Sequence, residues 1–156
     1  GREQLPFAAD LRGIPWSDVE ERALDIAESL DLRADLDRRI DGYSKGMKQK
    51  TAFVQAVAHD PAVVFLDEPT SGLDPRAAKT LRELIVDLTS GETTVFLSTH
   101  ILPVVEEIAD RVGVLYDGRL VSEGSPDGLA AGSEDGDGDL EDAFLELTAD
   151  PASAWQ

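Results

Sequence analysis

The chain has 156 residues, 32 of them Asp or Glu and only 14 Lys or Arg, so its formal net charge is −18. This length allows one compact domain with a sizeable core, and a hydrophobic fraction of 42% is ordinary for a globular protein. The absence of cysteine excludes disulfides and thiolate metal sites. No apolar run approaches the roughly 20 residues of a membrane-spanning helix, and the first residues contain no export signal, so we expect a chain that neither spans a membrane nor is exported.

The negative net charge also indicates which partners and which salt conditions suit the chain. Phosphate groups of nucleic acids bind to clustered Lys and Arg, so we expect no nucleic-acid partner for this surface. Lys is scarce beside Arg in this chain. We therefore hypothesise a protein adapted to a high-salt interior, where repulsion between surface carboxylates is screened.

The first 60 residues are predicted to be mainly helical. Ser17 and Glu20 fit a capping box, which places a helix start at Ser17. A second helix is predicted to begin at Ser44 and to continue to His59, before Pro61. His59 has no functional context and is interpreted as the end of that helix.

Strands and helices then alternate. Residues 63–66 form a short apolar run, interpreted as a fully buried strand of a parallel sheet. Asp74 followed by Pro75 predicts a helix start, because Asp is a common N-cap and Pro suits the first helical position. Residues 93–98 are interpreted as a second buried strand.

The last part of the chain is predicted to contain a helix from Pro103 and a hairpin around Asp117-Gly118. Residues 132–139 are Gly-, Ser- and Asp-rich and predict a flexible acidic linker. Residues 140–147 predict a short amphipathic helix, followed by a loose tail. The fold class is therefore α/β, with a helical segment ahead of the sheet.

Two adjacent carboxylates follow the first predicted strand. Ligands of parallel sheets bind beyond the carboxyl ends of the strands, where Asp67 and Glu68 are expected. Asp67 suits Mg²⁺, bound directly or through water, and Glu68 suits a general base that orients an attacking water. The alternative is a solvated strand end with two surface carboxylates.

Three further segments, at Ser44 and Gly46, at Asp74 and at His100, carry groups that suit a phosphate or a helix cap. Ser44 and Gly46 lie at a predicted helix N-terminus, which suits a phosphate, although Ser44 alone is equally a good N-cap. Asp74 is well explained as a structural N-cap, and an additional functional role is the alternative. His100 follows the second predicted strand, where it is placed to donate to a phosphate.

In this order and spacing, the motifs resemble the ATP-binding subunit of an ABC transporter. Residues 43–50 look like the family's signature motif, with Lys45 in place of a Gly and Met47 in place of a Gln. Residues 66–68 resemble the Walker B motif with its catalytic glutamate, and His100 resembles the switch histidine. The turn that resembles the D-loop consists of Ser71, Gly72, Leu73 and Asp74.

The resemblance implies a P-loop NTPase (RecA-like) parallel-sheet core, incomplete here and preceded by the helical subdomain. It implies a helical subdomain at 1–60, a partial ATPase core at 61–131, and a linker, short helix and tail at 132–156. The implied cofactors are ATP and Mg²⁺. The implied partners are a second ATP-binding subunit, in a head-to-tail dimer, and a membrane permease at the inner face of the cell membrane.

The resemblance also implies roles for individual residues. Glu68 would polarise the attacking water and His100 would hold the γ-phosphate, while Asp67 would hold Mg²⁺. The D-loop residues would couple the two sites across the dimer. The partner subunit's nucleotide would be contacted by Ser44, Lys45, Gly46 and Met47.

One departure from the family concerns the phosphate-binding loop. The sequence contains no Gly-x-x-x-x-Gly-Lys-Ser/Thr loop (Walker A), and residues 1–5 resemble the segment that follows the family's glutamine loop. We therefore expect the chain alone neither to bind ATP tightly nor to hydrolyse it. The signature variant and residues 140–147 look most like the type-2 exporter group, which handles drugs and polysaccharides.

Two alternative functions are compatible with the sequence. One is an ABC-type ATPase that does no transport, such as a translation or DNA-repair factor, although such proteins usually have basic surfaces. The other is a degenerate half-domain that only regulates a partner, against which the intact Asp67-Glu68 pair and His100 argue mildly.

Overall fold

The computed structural model describes residues 1–132 and 139–149, and these form two compact units, Gly1–Ser98 and Thr99–Gln156. The predicted functional boundaries after residues 60 and 131 follow motifs and remain predictions. The predicted linker at 132–139 falls mostly, and the tail beyond Asp150 wholly, outside the described residues. Among the described residues, none of the helices combines the length and the apolar character needed to cross a bilayer.

The first unit begins with helices. These are α1 (Gln4–Asp10), α2 (Trp16–Ser29) and α3 (Lys45–Val57), with short 3₁₀ helices at Arg33–Asp35 and Ile40–Gly42. Their apolar faces form a shared core, because the side chains recurring at helical spacing are almost fully buried. The most deeply buried of them include Ala23, Ala27, Leu30, Leu32, Leu36, Val54 and Val57.

The start of α2 differs from the prediction. The residue that caps α2 is Pro15, and the helix begins at Trp16, so the predicted capping box at Ser17 is wrong. The Ser17 hydroxyl instead donates to the Asp18 carboxylate at 2.9 Å. Proline fixes its own φ near the helical value, so the chain can enter the helix one residue earlier without a side-chain cap. Helix α3 ends at Val57, two residues before the predicted end.

A parallel two-stranded sheet completes the first unit. Strand β1 (Val63–Asp67) pairs with β2 (Thr94–Ser98), and α4 (Pro75–Thr89) connects them. The predicted cap of α4 is confirmed, because the Asp74 carboxylate accepts a hydrogen bond from the Ala77 N–H at 3.0 Å. Equivalent positions along the two strands are paired, so both strands end at the same edge of the sheet.

The prediction that both strands are fully buried is wrong for one face of the sheet. Val64 and Leu66 are buried, whereas Phe65 is 75% and Phe96 58% exposed. These two rings stack on the uncovered face, with centroids 5.1 Å apart. A short apolar run shows no polar alternation, so sequence alone could not indicate that only one face is covered within the described residues.

The second unit contains α5 (Leu102–Ile108), β3 (Val112–Tyr116), β4 (Arg119–Gly124), α6 (Pro126–Ala130) and α7 (Leu140–Ala149). Strands β3 and β4 form the predicted antiparallel hairpin, confirmed by their pairing. Its turn residues Asp117 and Gly118 have φ of 48° and 74°, as a tight hairpin turn requires. The predicted C-terminal helix is also confirmed, and it buries Leu140 and Ala143.

Candidate functional site

The N-terminus of α3 is fixed by Ser44. Its backbone is extended, with φ of −63° and ψ of 167°, and its Oγ accepts a hydrogen bond from the Met47 N–H at 3.2 Å. The preceding Tyr43 is buried and its hydroxyl donates to the carbonyl of Asp35 at 2.7 Å. Burial, with help from the nearby Asp35 carboxylate, raises the pKa of Tyr43. The buried, hydrogen-bonded Tyr43 thus anchors the chain directly before the exposed Ser44.

The turn at 71–74 packs against this helix start. A Cβ added to Gly46 would come within 2.9 Å of the carbonyl oxygen of Gly72, so only glycine allows this approach. Gly72 has a φ of 76°, and a Cβ there would come within 2.9 Å of the Lys45 side chain. The Lys45 ammonium donates to the Ser71 hydroxyl at 3.0 Å. The signature-like segment and the D-loop-like turn of one chain therefore form a continuous surface.

Asp74 is the last residue of this turn and also the N-cap of α4. The hydrogen bond from the Ala77 N–H is the main cause that lowers the pKa of the Asp74 carboxyl below its ordinary value, and the charge of Lys50 acts in the same direction. Asp74 therefore carries its charge at neutral pH. Leu73 lies beside it, and a Cβ added to Gly46 would come within 3.4 Å of the Leu73 side chain.

The predicted carboxylate pair lies at the carboxyl end of β1. Asp67 is the last residue of the strand, is exposed, and accepts a hydrogen bond from the Ser98 hydroxyl of β2. Glu68 follows and is half-buried. Its backbone has a φ of 45°, which residues other than glycine rarely adopt. Its carbonyl accepts hydrogen bonds from the Ser71 N–H at 3.0 Å and from the Gln49 amide at 3.2 Å.

Gln49 is not among the predicted site residues, yet it contacts one of them. Its side chain crosses from α3 to the backbone of Glu68, nineteen positions later in the chain. A hydrogen bond from an amide to a distant backbone carbonyl leaves no signature in the sequence, so no signal could have revealed it. The contact of Lys45 with Ser71 was missed for the same reason.

His100 comes two residues after β2, exposed, within the unit Thr99–Gln156. The Thr99 hydroxyl accepts a hydrogen bond from the Ile101 N–H at 3.2 Å, which shapes the backbone around it. The structure thus brings residues 44–47 and 67–74 together in the first unit. The role assigned to His100 stays a prediction.

The sequence and the structure are both similar to known proteins. Residues 2–106 match a family model described as "AAA domain, putative AbiEii toxin, Type IV TA system". Over its full length, the chain is 37% identical to an uncharacterized ABC transporter ATP-binding protein of Nostoc sp., of which it covers 50%. The solved structure of an ATP binding subunit of an ABC transporter matches 94% of the chain, with a TM-score of 0.84 and 31% identity, over 61% of its own length. The chain belongs to the ABC transporter ATP-binding protein family.

Two further relatives of this ABC chain have more specific names. It is 33% identical, over 82% of its length, to the ABC transporter ATP-binding protein NatA of Bacillus subtilis, of which it covers 52%. It is 34% identical, over 80% of its length, to the daunorubicin/doxorubicin resistance ATP-binding protein DrrA of Streptomyces peucetius, of which it covers 38%. The chain therefore spans about half the length of the curated relatives it matches, or less.

The ABC family binds ATP, usually with Mg²⁺, and the donor set at the sheet edge fits that ion. Asp67 offers a hard carboxylate at an exposed strand end, with the hydroxyl of Ser98 beside it. Within residues 1–132 and 139–149 no cluster of three or more His, Cys, Asp or Glu forms a dedicated metal cage.

Proposed function

We propose that this chain supplies the signature, Walker B and D-loop portion of an ATP-binding subunit of an ABC exporter. The subunit hydrolyses ATP in a head-to-tail dimer. The observation that carries this proposal is the close packing of Gly46 on Gly72. In this packing, the exposed helix start at Ser44 lies near the turn that follows the carboxylates of Asp67 and Glu68.

Each site residue has a role in this proposal. Ser44 and the backbone of residues 45–47 contact the phosphates of the nucleotide held by the partner subunit, at the positive end of α3. The Glu68 carboxylate orients the attacking water, and the His100 imidazole holds the γ-phosphate. Asp67 binds Mg²⁺, which neutralises charge on the phosphates when bound. The D-loop residues 71–74 connect this set to the partner's site.

The proposed partners are a second ATP-binding subunit and a membrane permease, which places the chain at the inner face of the cell membrane. Export is favoured over import by the name of one relative, a fluoroquinolones export ATP-binding protein of Mycobacterium tuberculosis. A nucleic-acid partner is not proposed, because a net charge of −18 repels phosphate backbones.

Hydrolysis by the complete subunit tests this function. We expect measurable ATP turnover that Glu68→Gln lowers by at least about 100-fold, because the general base is lost while binding is kept. The matched control is Glu20→Gln, an exposed glutamate on α2, which should leave turnover unchanged. The 156-residue chain alone should show no turnover. Turnover by the pure chain that Glu68→Gln abolishes would overturn the expectation of inactivity, and a complete subunit without turnover would overturn the proposed function.

A further inference from the structure

The backbone of Glu68 is held in a left-handed conformation, with a φ of 45°. Such a conformation persists in a residue other than glycine only where its surroundings fix it. Three hydrogen bonds to its backbone N–H and carbonyl contribute to holding it there. Its N–H donates to the carbonyl of Ser98 at 3.0 Å, and its carbonyl accepts from the Ser71 N–H at 3.0 Å and from the Gln49 side-chain amide at 3.2 Å.

These three bonds differ in where they come from. Those with Ser98 and Ser71 are backbone contacts made by the neighbouring strand and by the turn that follows Glu68 itself. The bond from Gln49 alone comes from a side chain on α3, the helix that Ser44 caps. Gln49 therefore connects the signature helix directly to the peptide that sets the direction of the Glu68 side chain.

We propose that Gln49 is a positioning residue for Glu68. By donating to the Glu68 carbonyl, Gln49 keeps the Glu68 backbone left-handed and connects it to α3. A displacement of the helix therefore also displaces the Glu68 carboxylate. The inference rests on the proposed function for the role of the carboxylate, but the conformational part stands on the geometry of this chain alone.

The chain offers a matched control for this contact. Gln55 lies on the same helix and also donates its side-chain amide to a backbone carbonyl, that of Gln4, at 2.9 Å. Replacing either glutamine by methionine keeps the length of the side chain and removes the donor. Gln49→Met and Gln55→Met thus lose the same kind of bond, and only the first loss concerns Glu68.

Amide hydrogen exchange in the 156-residue chain, resolved by NMR, tests the conformational part. We expect Gln49→Met to speed exchange of the Glu68 and Ser71 amides by about fivefold, the effect of losing one net hydrogen bond. The ¹³Cα shift of Glu68 should also move toward its random-coil value. Gln55→Met should leave both readouts unchanged. Unchanged exchange in Gln49→Met, or equal changes in the two variants, would overturn the proposal.

Kinetics of the complete subunit test the catalytic part. We expect Gln49→Met to lower kcat about tenfold with the KM for ATP unchanged, because a misplaced carboxylate affects the chemical step and not nucleotide binding. Gln55→Met should retain kcat. A Gln49→Met subunit with normal kcat would overturn the link to catalysis. Absence of turnover in the unsubstituted subunit would instead overturn the proposed function, while the exchange data would still decide the role of Gln49.

Discussion

The ammonium of Lys45 donates a hydrogen bond to the hydroxyl of Ser71 at 3.0 Å, joining two loops that are 26 positions apart in sequence. In the predicted signature motif, Lys45 replaces a residue that is usually glycine in the family. Its side chain lies against Gly72, whose φ of 76° and missing Cβ make room for it. The lysine therefore connects the signature-like segment to the D-loop-like turn of the same chain.

This contact predicts an energetic coupling between the two residues. In a double-mutant cycle with Lys45→Met and Ser71→Ala, we expect a coupling of roughly 0.5 kcal/mol, because the bond is exposed to solvent. Urea unfolding of the four chains measures it. Lys48→Met, an exposed lysine one turn further along α3, should show no coupling with Ser71→Ala. A coupling of zero for Lys45 would contradict the contact.

The two serines at helix starts should respond differently to alanine. Ser44→Ala removes the cap of α3 and should lower the free energy of unfolding by about 1 kcal/mol. Ser17→Ala should change it by less than about 0.5 kcal/mol, because Ser17 makes no cap and is exposed. Urea denaturation compares the two variants, and Ser44→Asp should restore most of the loss. Equal effects of the two alanines would disagree with the observed cap at Pro15.

Stability should depend on pH through Asp74. Its pKa is lowered by the Ala77 N–H, so the unfolded chain takes up a proton at a higher pH than the folded chain does. The contribution of Asp74 is present above its ordinary pKa of 3.8 and is lost as pH falls through the lower folded value. Asp74→Asn keeps a capping side chain but does not titrate. Unfolding measured between about pH 6 and pH 2 should therefore show a shallower acid decline in this variant. Identical declines would refute the assignment.

His59 should produce a second pH dependence, nearer neutrality. Burial lowers its pKa from the ordinary 6.5, and the charges of Arg12 and Arg22 lower it further, while Asp60 opposes them. Between 6.5 and the folded value, the unfolded chain is protonated and the folded chain is not. Its stabilising contribution is thus complete above 6.5 and is lost as pH falls to the folded value. His59→Gln should flatten the unfolding free energy across this interval, and an unchanged slope would exclude His59 as its source.

The charge of −18 predicts a strong effect of salt on stability. The chain should be more resistant to thermal unfolding in about 1 M KCl than in about 0.01 M, because the Debye length falls from about 30 Å to about 3 Å. Removing two exposed carboxylates, by Glu20→Gln with Glu21→Gln, should reduce this gain if repulsion causes it. Equal melting temperatures in both salts would rule out salt adaptation.

Local chemistry was readable from the sequence. The caps at Ser44 and Asp74 and the hairpin at Asp117-Gly118 depend on residues within three positions of one another, and all three are confirmed. The carboxylate pair was also placed correctly at the end of a strand, because apolar runs end where a parallel sheet ends.

Properties set by packing were not readable. The exposure of Phe65 and Phe96 depends on which elements cover each face of the sheet, and an apolar run is compatible with one covered face or two. The contacts of Gln49 and Lys45 join segments 19 and 26 positions apart, and their geometry depends on how α3 lies over the turn. The left-handed backbone of Glu68 follows from that same packing.

The left-handed backbone of Glu68 also affects which mutations at this position would stabilise the fold. Glycine or asparagine adopts a φ of 45° more readily than glutamate does, so mutations to either would relieve local strain. A chain released from the need for a carboxylate would therefore gain folding free energy by abandoning it. Glutamate is therefore not the residue that folding stability alone would favour at this position.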